Sequence, residues 1–316
     1  TLHKVSHRER APFYVVGEAN GNQRLTFQKK GQAQKPVDLK VNHLFGSSPK
    51  TVISDTTIPA NFKAVEYNIE KLHDYLEEVL QLEAVACKDW LTNKVDRSVT
   101  GKVATQQTCG PIQLPLNNVG VMALDFINNK GVATSIGHAP GAALIDPSAG
   151  SKLAIAEALT NIIWAPLTHG LKGVSLSANW MWPSKNKGED ARLYKAVEAV
   201  SDFAIKLGIN IPTGKDSLSM TQKYADDTVY APGTVIISAV AEVSNIRKTI
   251  SPVIEPIEGS KIVYINLSSD TLKLGGSSLA QILNLLGNEV PTVKDEKYFA
   301  SAFDTVQEII KKDLIT

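Results

Sequence analysis

Cysteine is scarce in this sequence, with Cys87 and Cys109 the two examples in 316 residues. Two thiols are too few for a disulfide framework or a four-cysteine zinc site, which fits a reducing compartment. Both read as ordinary thiols. Charge of one sign is missing too: 33 Lys and Arg balance 32 Asp and Glu, for a formal net charge of +1. No general field therefore draws the chain to nucleic acid or a membrane surface, and neither is an expected partner. No apolar run approaches the roughly 20 residues of a membrane span, and the first residues lack the basic-then-apolar pattern of a signal peptide. The cytoplasm is the expected compartment. Neither a short-period repeat nor a low-complexity tract is found, and no nucleophile elbow, Ser-His-Asp order or metal-protease helix occurs.

What remains is a chain that is 43% hydrophobic and 21% charged, enough for a folded chain of two or three domains. It opens on Thr1 rather than Met, and the polar residues 1–10 run straight into a strand-like stretch at 13–16. At the other end, Phe303, Val306, Ile309 and Ile310 fall at helical spacing with no Gly or Asn cap after them. The expectation is a piece cut from a longer polypeptide.

Residues 1–56 read as two or three short strands punctuated by turns, with too little apolar material for a core of their own. After Pro59, the positions Val65, Ile69, Leu72, Leu76, Val79 and Leu80 form the stripe of an amphipathic helix. Residues 57–248 then read as one domain. Within it, 119–126 and 234–243 read as strands, 152–164 as a helix capped by Ser151, and 189–207 as a helix stopped by Gly208. Beyond Pro252 and Pro256 the pattern restarts, with a strand at 261–267 and a helix at 277–286, so 249–316 is assigned to a third region. Strands and helices alternate irregularly, which predicts an α+β fold.

Several constellations could carry chemistry. Glu157 and Asn161 are i and i+4, so both oxygens project from one helix face where a hard cation such as Mg²⁺ is ligated; a local hydrogen bond accounts for the spacing equally well. In Gly214-Lys215-Asp216-Ser217 a glycine precedes a cation and two oxygen ligands, as in a loop that approaches an anion. It is not a P-loop, because the motif's first glycine is absent, with Ile209 standing five residues before Gly214; a capped loop with a surface Lys-Asp pair is the other reading. Lys88, on a strand-like stretch, precedes Asp96-Arg97, and two cations beside a carboxylate suit phosphate and metal or form a structural ion pair. Glu189 and Asp190 sit where a helix dipole favours acid, and His138 lies in a glycine-bounded turn without a partner base.

Asp96-Arg-Ser-Val-Thr-Gly101, Cys109-Gly-Pro-Ile-Gln-Leu-Pro115, Glu157-Ala-Leu-Thr-Asn161, Leu176-Ser-Ala-Asn-Trp180, Gly188-Glu-Asp190 and Gly214-Lys-Asp-Ser217 follow one another in this order. With them the whole chain resembles the central part of the phosphoribosylformylglycinamidine synthase family in its large, glutaminase-fused form. The resemblance implies the PurM-like fold of the aminoimidazole ribonucleotide synthetase superfamily. On that reading 1–56 is the tail of a first C-type domain plus linker, 57–248 a second N-type domain, and 249–316 the opening of a second C-type domain. The family is an ATP-dependent carbon–nitrogen ligase of purine biosynthesis that turns formylglycinamide ribonucleotide, ATP and glutamine into formylglycinamidine ribonucleotide, ADP, phosphate and glutamate. Its catalytic histidine belongs to a domain outside this sequence, so no catalytic residue is expected here.

The second N-type domain is implied to hold an auxiliary Mg²⁺–nucleotide (ATP or ADP). Expected nucleotide-binding residues are Lys88, Asp96, Asn117, Lys215 and Asp216, and expected metal ligands are Asn118, Glu157 and Asn161. Asn118 falls where the family carries an Asp, which lowers the negative charge of the site. The expected partners are the nucleotide and the remaining domains of the same polypeptide, with a homodimer formed through exposed strand edges as a further expectation. The alternative is a structural or dimer-forming module that binds no nucleotide by itself.

Overall fold

The computed structural model describes the chain except for residues 48, 51, 60, 94–96, 98–100 and 316. Two compact units emerge, Thr1–Ile53 and Ser54–Thr316. The first contains α1 (Leu2–Arg8), the antiparallel pair β1 (Arg24–Phe27) and β2 (Val37–Lys40), and α2 (Val41–Phe45). No residue in these four elements is buried. Arg24 clamps Asp38 across the hairpin, with Nε at 2.8 Å and Nη2 at 2.6 Å from the same carboxylate oxygen. Residues 13–16, strand-like in sequence, form no strand: Tyr14, Val15 and Val16 are exposed, since apolar residues alone do not make a strand without a partner ladder.

The second unit runs through α3 (Leu72–Gln81), α4 (Asp89–Thr92), β3 (Val103–Thr105), β4 (Gly120–Ala123), β5 (Gly131–Gly137), α5 (Pro140–Ile145), α6 (Pro147–Ile162), β6 (Ser175–Met181), α7 (Glu189–Leu207), β7 (Asn210–Ser217), β8 (Thr221–Lys223), β9 (Thr228–Tyr230), β10 (Thr234–Val243), α8 (Ser278–Ile282) and α9 (Glu296–Lys311). Among the described residues, one sheet has the order β3-β4-β5-β10-β6-β7, antiparallel throughout except for the parallel β6–β7 pair. That pair is joined by α7, since parallel neighbours need a crossover.

Alternation decides the two faces. Val235, Ile237, Ala239, Ala241 and Val243 of β10 are buried against Ala154, Ile155, Ala158, Leu159 and Ile162 of α6 and Val200, Phe203 and Leu207 of α7. Phe299, Phe303, Val306 and Ile310 of α9 complete this core, with the Phe203 and Phe299 rings edge-on at 5.9 Å. The opposite face carries Thr134, Ile136, Ser175, Ser177, Ser238 and Val240; Ile136 remains 58% exposed.

Helix α6 begins five residues before the sequence-based expectation. Asp146, not Ser151, is its N-cap, accepting from the N–H groups of Ser148 (2.8 Å) and Ala149 (3.1 Å), with Pro147 at the first helical position. Ser151 is buried inside the helix. Gly150 is where α6 touches α5: a Cβ there would lie 2.4 Å from the Ala143 nitrogen. Helix α7 matches its expected bounds, between left-handed Gly188 (φ 86°) and Gly208 (φ 69°).

Three other expectations are corrected. Residues 210–217 form strand β7 rather than a loop, because an edge strand tolerates Pro212 and Gly214. Lys88 caps the short helix α4 instead of lying on a strand. Residues 261–267 are irregular, and Ile262, Val263 and Tyr264 face solvent.

Candidate functional site

The site grows from the contact between β5 and α6. Gly137 ends β5 against the helix so closely that a Cβ would sit 2.2 Å from the Ala154 oxygen and 2.3 Å from the Ala158 nitrogen. Only hydrogen fits there, which lets the helix lie directly on the strand. One residue pair earlier, Ser135 donates its hydroxyl to the Ala158 carbonyl at 2.6 Å. This close approach aims the next turn of α6 at the strand's end. Glu157 Oε2 accepts the His138 backbone N–H at 2.6 Å, and Asn161 Nδ2 donates to the Ile136 carbonyl at 2.9 Å.

These two bonds fix which oxygens remain. The Asn161 amide is oriented by its donation, so Oδ1 is its outward acceptor, and Glu157 retains Oε1. The sequence left open whether this i, i+4 pair is a ligand pair or a local hydrogen-bonding pair. Its members bond to Ile136 of β5 and to His138 just after it, not to each other.

Asn118 and Asn161 line one cavity of about 590 Å³ on the uncovered sheet face, floored by Thr134, Ser177 and Ser238. Glu157 lines a neighbouring cavity of about 480 Å³ with His138, Thr160, Tyr264, Ser268 and Lys273. Asn117 and Asn118 also border a cavity of about 670 Å³ whose other walls include Trp164, Ile250, Pro252, Lys261 and Ile262.

Other expected site residues stand elsewhere. Lys88 donates its Nζ to the Ala86 carbonyl at 2.9 Å, and Lys215 donates to Ser217 Oγ at 2.7 Å. Lys215 pairs with Asn179 on β7's flank of the sheet and Asp216 with Trp180, so the two project to opposite faces. None of Lys88, Lys215 and Asp216 lines the three cavities above. Asp96 lies outside the described residues. Among the described residues, no group of three or more His, Cys, Asp or Glu side chains is placed to hold a metal ion. Cys109 accords with its reading as an inert thiol, since burial pushes its pKa up.

Sequence reasoning missed residues that fasten the site from a distance. Asp55 accepts the N–H groups of Gly188 (3.1 Å), Asp190 (3.1 Å) and Ala191 (3.3 Å), capping α7 from 133 or more residues away. Its pKa is lowered by the Thr56 backbone N–H and by these same bonds. Buried Gln307 donates to the Ile163 and Ala165 carbonyls and accepts from the Leu167 N–H at 2.7 Å, pinning α9 to the end of α6. Asp270, whose side chain is fully buried, pairs with Lys294 at 2.7 Å and Lys273 at 3.4 Å. Nothing in the local sequence marks Asp55 or Asp270, which Ser and Thr flank, and Gln307 is marked only by its polarity beside Val306, Ile309 and Ile310.

Residues 87–242 match the FGAR-AT PurM_N-like domain family. Among curated proteins, the chain is 39% identical over 316 residues to a probable phosphoribosylformylglycinamidine synthase of Caenorhabditis elegans, covering 99% of this chain and 24% of that protein. A probable chloroplastic/mitochondrial phosphoribosylformylglycinamidine synthase of Arabidopsis thaliana is 38% identical over 336 residues, covering 100% of this chain and 23% of its own. The Homo sapiens phosphoribosylformylglycinamidine synthase is 38% identical, with 99% of this chain and 25% of that protein covered. The chain thus spans about a quarter of the length of these relatives. Among solved structures, PurLQS from Thermotoga maritima is 16% identical with a TM-score of 0.46, over 70% of this chain and 32% of that one. Thermotoga maritima PurL complexed with ATP is 16% identical with a TM-score of 0.45, over 73% of this chain and 33% of that one. No helix among the described residues is long and apolar enough to cross a membrane. Along nearly its whole length the chain is a homologue of the phosphoribosylformylglycinamidine synthases, and its residues 87–242 are an FGAR-AT PurM_N-like domain.

Proposed function

We propose that this chain is the part of an ATP-dependent amidoligase that holds an auxiliary Mg²⁺–nucleotide. The whole protein would convert formylglycinamide ribonucleotide, ATP and glutamine into formylglycinamidine ribonucleotide, ADP, phosphate and glutamate. The names of the relatives support the reaction. On this reading 57–248 is the second N-type domain, flanked by 1–56 and 249–316 as C-type pieces; the end of the first compact unit at Ile53 supports the earlier boundary. The segment positions and binds and supplies no catalytic residue of its own.

The observation that carries the reading is the pair of oxygens left uncommitted among the described residues, Glu157 Oε1 and Asn161 Oδ1, at the end of β5, with Asn118 across the adjoining cavity. Carboxylate and amide oxygens are the donor set of a hard cation, so these residues fit Mg²⁺. When bound, the ion would offset phosphate charge beside Glu157. With Asn rather than Asp at 118, the set carries a single carboxylate among its three members, which suits one ion better than a cluster. Lys88 and Lys215 would have to release Ala86 and Ser217 to reach a phosphate.

A second reading, a structural module without nucleotide, is favoured by the lack of any three-member acidic or His/Cys cluster among the described residues. Calorimetric titration of the 316-residue chain with ADP and ATP, with and without Mg²⁺, separates the two. Binding that requires Mg²⁺ and disappears in Glu157→Ala supports the first reading. No heat up to millimolar nucleotide overturns it in favour of the second.

A further inference from the structure

The Asp96-Arg97 motif leaves a cation that the proposed Mg²⁺–nucleotide site does not use. The Arg97 guanidinium is held along one edge: Nη2 donates to Thr108 Oγ1 at 2.8 Å and to Gln113 Oε1. Gln113 is itself oriented, because its Nε2 donates to the Gly110 carbonyl at 2.8 Å and its Oε1 also accepts from Thr108 Oγ1 (2.9 Å) and Gln106 Nε2 (3.1 Å). It adopts a left-handed backbone, φ 53°, a conformation that a non-glycine residue holds only where its surroundings enforce it. The clamp is therefore prearranged.

All the acceptors that Arg97 finds among the described residues are neutral. Its enclosed Nε finds no partner among the described residues, nor does Asn117 Oδ1 nearby, and Nη1 makes no hydrogen bond to a described residue. A half-buried guanidinium whose described acceptors are all neutral is an arrangement that an anion relieves. Arg97 and Asn117 line a cavity of about 280 Å³, and Thr105, Gln106, Asn118 and Thr134 add hydroxyl and amide groups to its wall. Among the described residues, no Asp or Glu lines it.

We infer that this cavity is an oxyanion subsite, in which Arg97 binds a phosphoryl group through the part of its guanidinium not committed to Thr108 and Gln113. The group is inorganic phosphate or a phosphate of the nucleotide, since Asn117 and Asn118 border both this cavity and those of the nucleotide reading. The inference does not require the Mg²⁺ site: it concerns a charge 60 residues away in sequence from Glu157.

The test is thermal stabilisation and calorimetry of the intact chain with sodium phosphate, using sodium chloride at equal ionic strength as control. Phosphate should stabilise by mass action where chloride does not. Losing a charge-assisted hydrogen bond should weaken phosphate about 10- to 100-fold in Arg97→Gln, with a smaller loss in Arg97→Lys, which keeps charge without the planar fork. Should Arg97→Gln fail to fold, phosphate protection of the wild-type chain decides. Phosphate should slow phenylglyoxal modification of the peptide carrying Arg97 and leave those carrying Arg8 and Arg247 unchanged. Equal affinity in wild type and variants, or no protection of Arg97, overturns the inference. Two further arms separate it from the proposed function. Glu157→Gln should abolish Mg²⁺-dependent ADP binding and leave phosphate binding intact; loss of both would place the phosphate at Glu157 and overturn the subsite. In wild type, competition between phosphate and Mg-ADP identifies the nucleotide as the source of the phosphoryl group, and additive binding identifies free phosphate; either supports the subsite. Phosphate binding without any ADP binding retains the subsite and removes the proposed function.

Discussion

The stretches Thr234–Val243 and 261–267 carry the same kind of side chains and meet opposite fates. Both are rich in Val and Ile, and both read as strands. The first lies between β5 and β6 as the central strand β10, and Ile237 and Val243 are inaccessible to solvent. The second finds no strand beside it among the described residues: Ile262 is 90% exposed, and Tyr264 79%. Strand propensity measures how well a side chain suits a pleated, half-buried surface, so it yields a strand only where neighbours supply that surface. Beyond α8, the 249–295 stretch is held by the buried side chains of Val290 and Val293 and by polar ties, chiefly the buried Asp270 carboxylate with Lys294, Lys273 and the backbone N–H groups of Thr271 (2.8 Å) and Thr292 (3.1 Å).

That contrast is broken most forcefully from the sheet side. Gly137→Val places a branched side chain where even a Cβ would lie 2.2 Å from backbone of α6. Because the obstacle is main chain, helix and strand must separate, and the expected loss is about 3 kcal/mol or more, read from urea unfolding. Mg²⁺-dependent nucleotide binding should fall with it, since the same contact aims Glu157 and Asn161. An unchanged unfolding midpoint would mean that the β5–α6 approach is not what fixes the sheet.

Gln307→Leu sharpens the comparison by cutting the one buried glutamine that ties α9 to the turn after α6. Leucine matches its volume but leaves the Ile163 and Ala165 carbonyls and the Leu167 N–H without their partner. A loss of about 2–3 kcal/mol is expected, because buried backbone groups left unpaired carry their full desolvation penalty. A neutral outcome would show that water replaces the amide.

Much of the sheet side was legible in the sequence. Glu189 and Asp190 at one end and Gly208 at the other bracket α7, and the alternation in residues 234–243 marks β10. Strand β5 was not legible, because Gly131, Ser135 and Gly137 are poor strand formers; Gly137 admits the α6 backbone, Ser135 bonds to it and Gly131 clears Ile246 and the Met122 carbonyl, demands that one strand's sequence does not display. Strand β7 was hidden by Pro212 and Gly214, which a sheet edge accepts. The candidate site was half legible. The i, i+4 spacing put Glu157 and Asn161 on one face, but the bonds to His138 and Ile136 that orient them, and Asp55's cap on α7, join residues 19 to 136 positions apart.

Acid should separate the two regions by what holds them. The Lys294 ammonium, with the Thr271 and Thr292 N–H groups and Lys273, holds the Asp270 pKa well below the ordinary 3.8. A carboxyl depressed in the folded chain contributes stability that is fully present above its unfolded pKa and is lost as pH falls through the folded one. Below about pH 4, therefore, the fully buried Asp270 ties should weaken while the apolar sheet core, whose depressed carboxylate on β10, Glu242, is a partly exposed partner of Lys130, persists. Hydrogen exchange of the Thr271 and Thr292 amides should accelerate between pH 4 and 2, after correction for intrinsic rates, ahead of amides in β10. Loss of protection at both places together would mean that the two regions unfold as one unit.

The smallest effect on stability is expected at the unpartnered stretch itself, and its smallness is the point. Ile262→Asp with Tyr264→Asp changes two side chains that already face water, so the unfolding free energy should stay within about 0.5 kcal/mol per site. Association is another matter. An exposed run of Ile, Val and Tyr with unpaired backbone offers an edge on which a second chain can build a strand, and charge on that run opposes pairing. Sedimentation of the wild-type chain at rising concentration should show self-association that the double variant suppresses at equal stability. If the variant loses stability instead, residues 261–267 are packed in solution, and the difference between the two stretches is one of degree. If association persists at equal stability, the pairing edge lies elsewhere, and the outer strands β3 and β7 become the places to put the next charge.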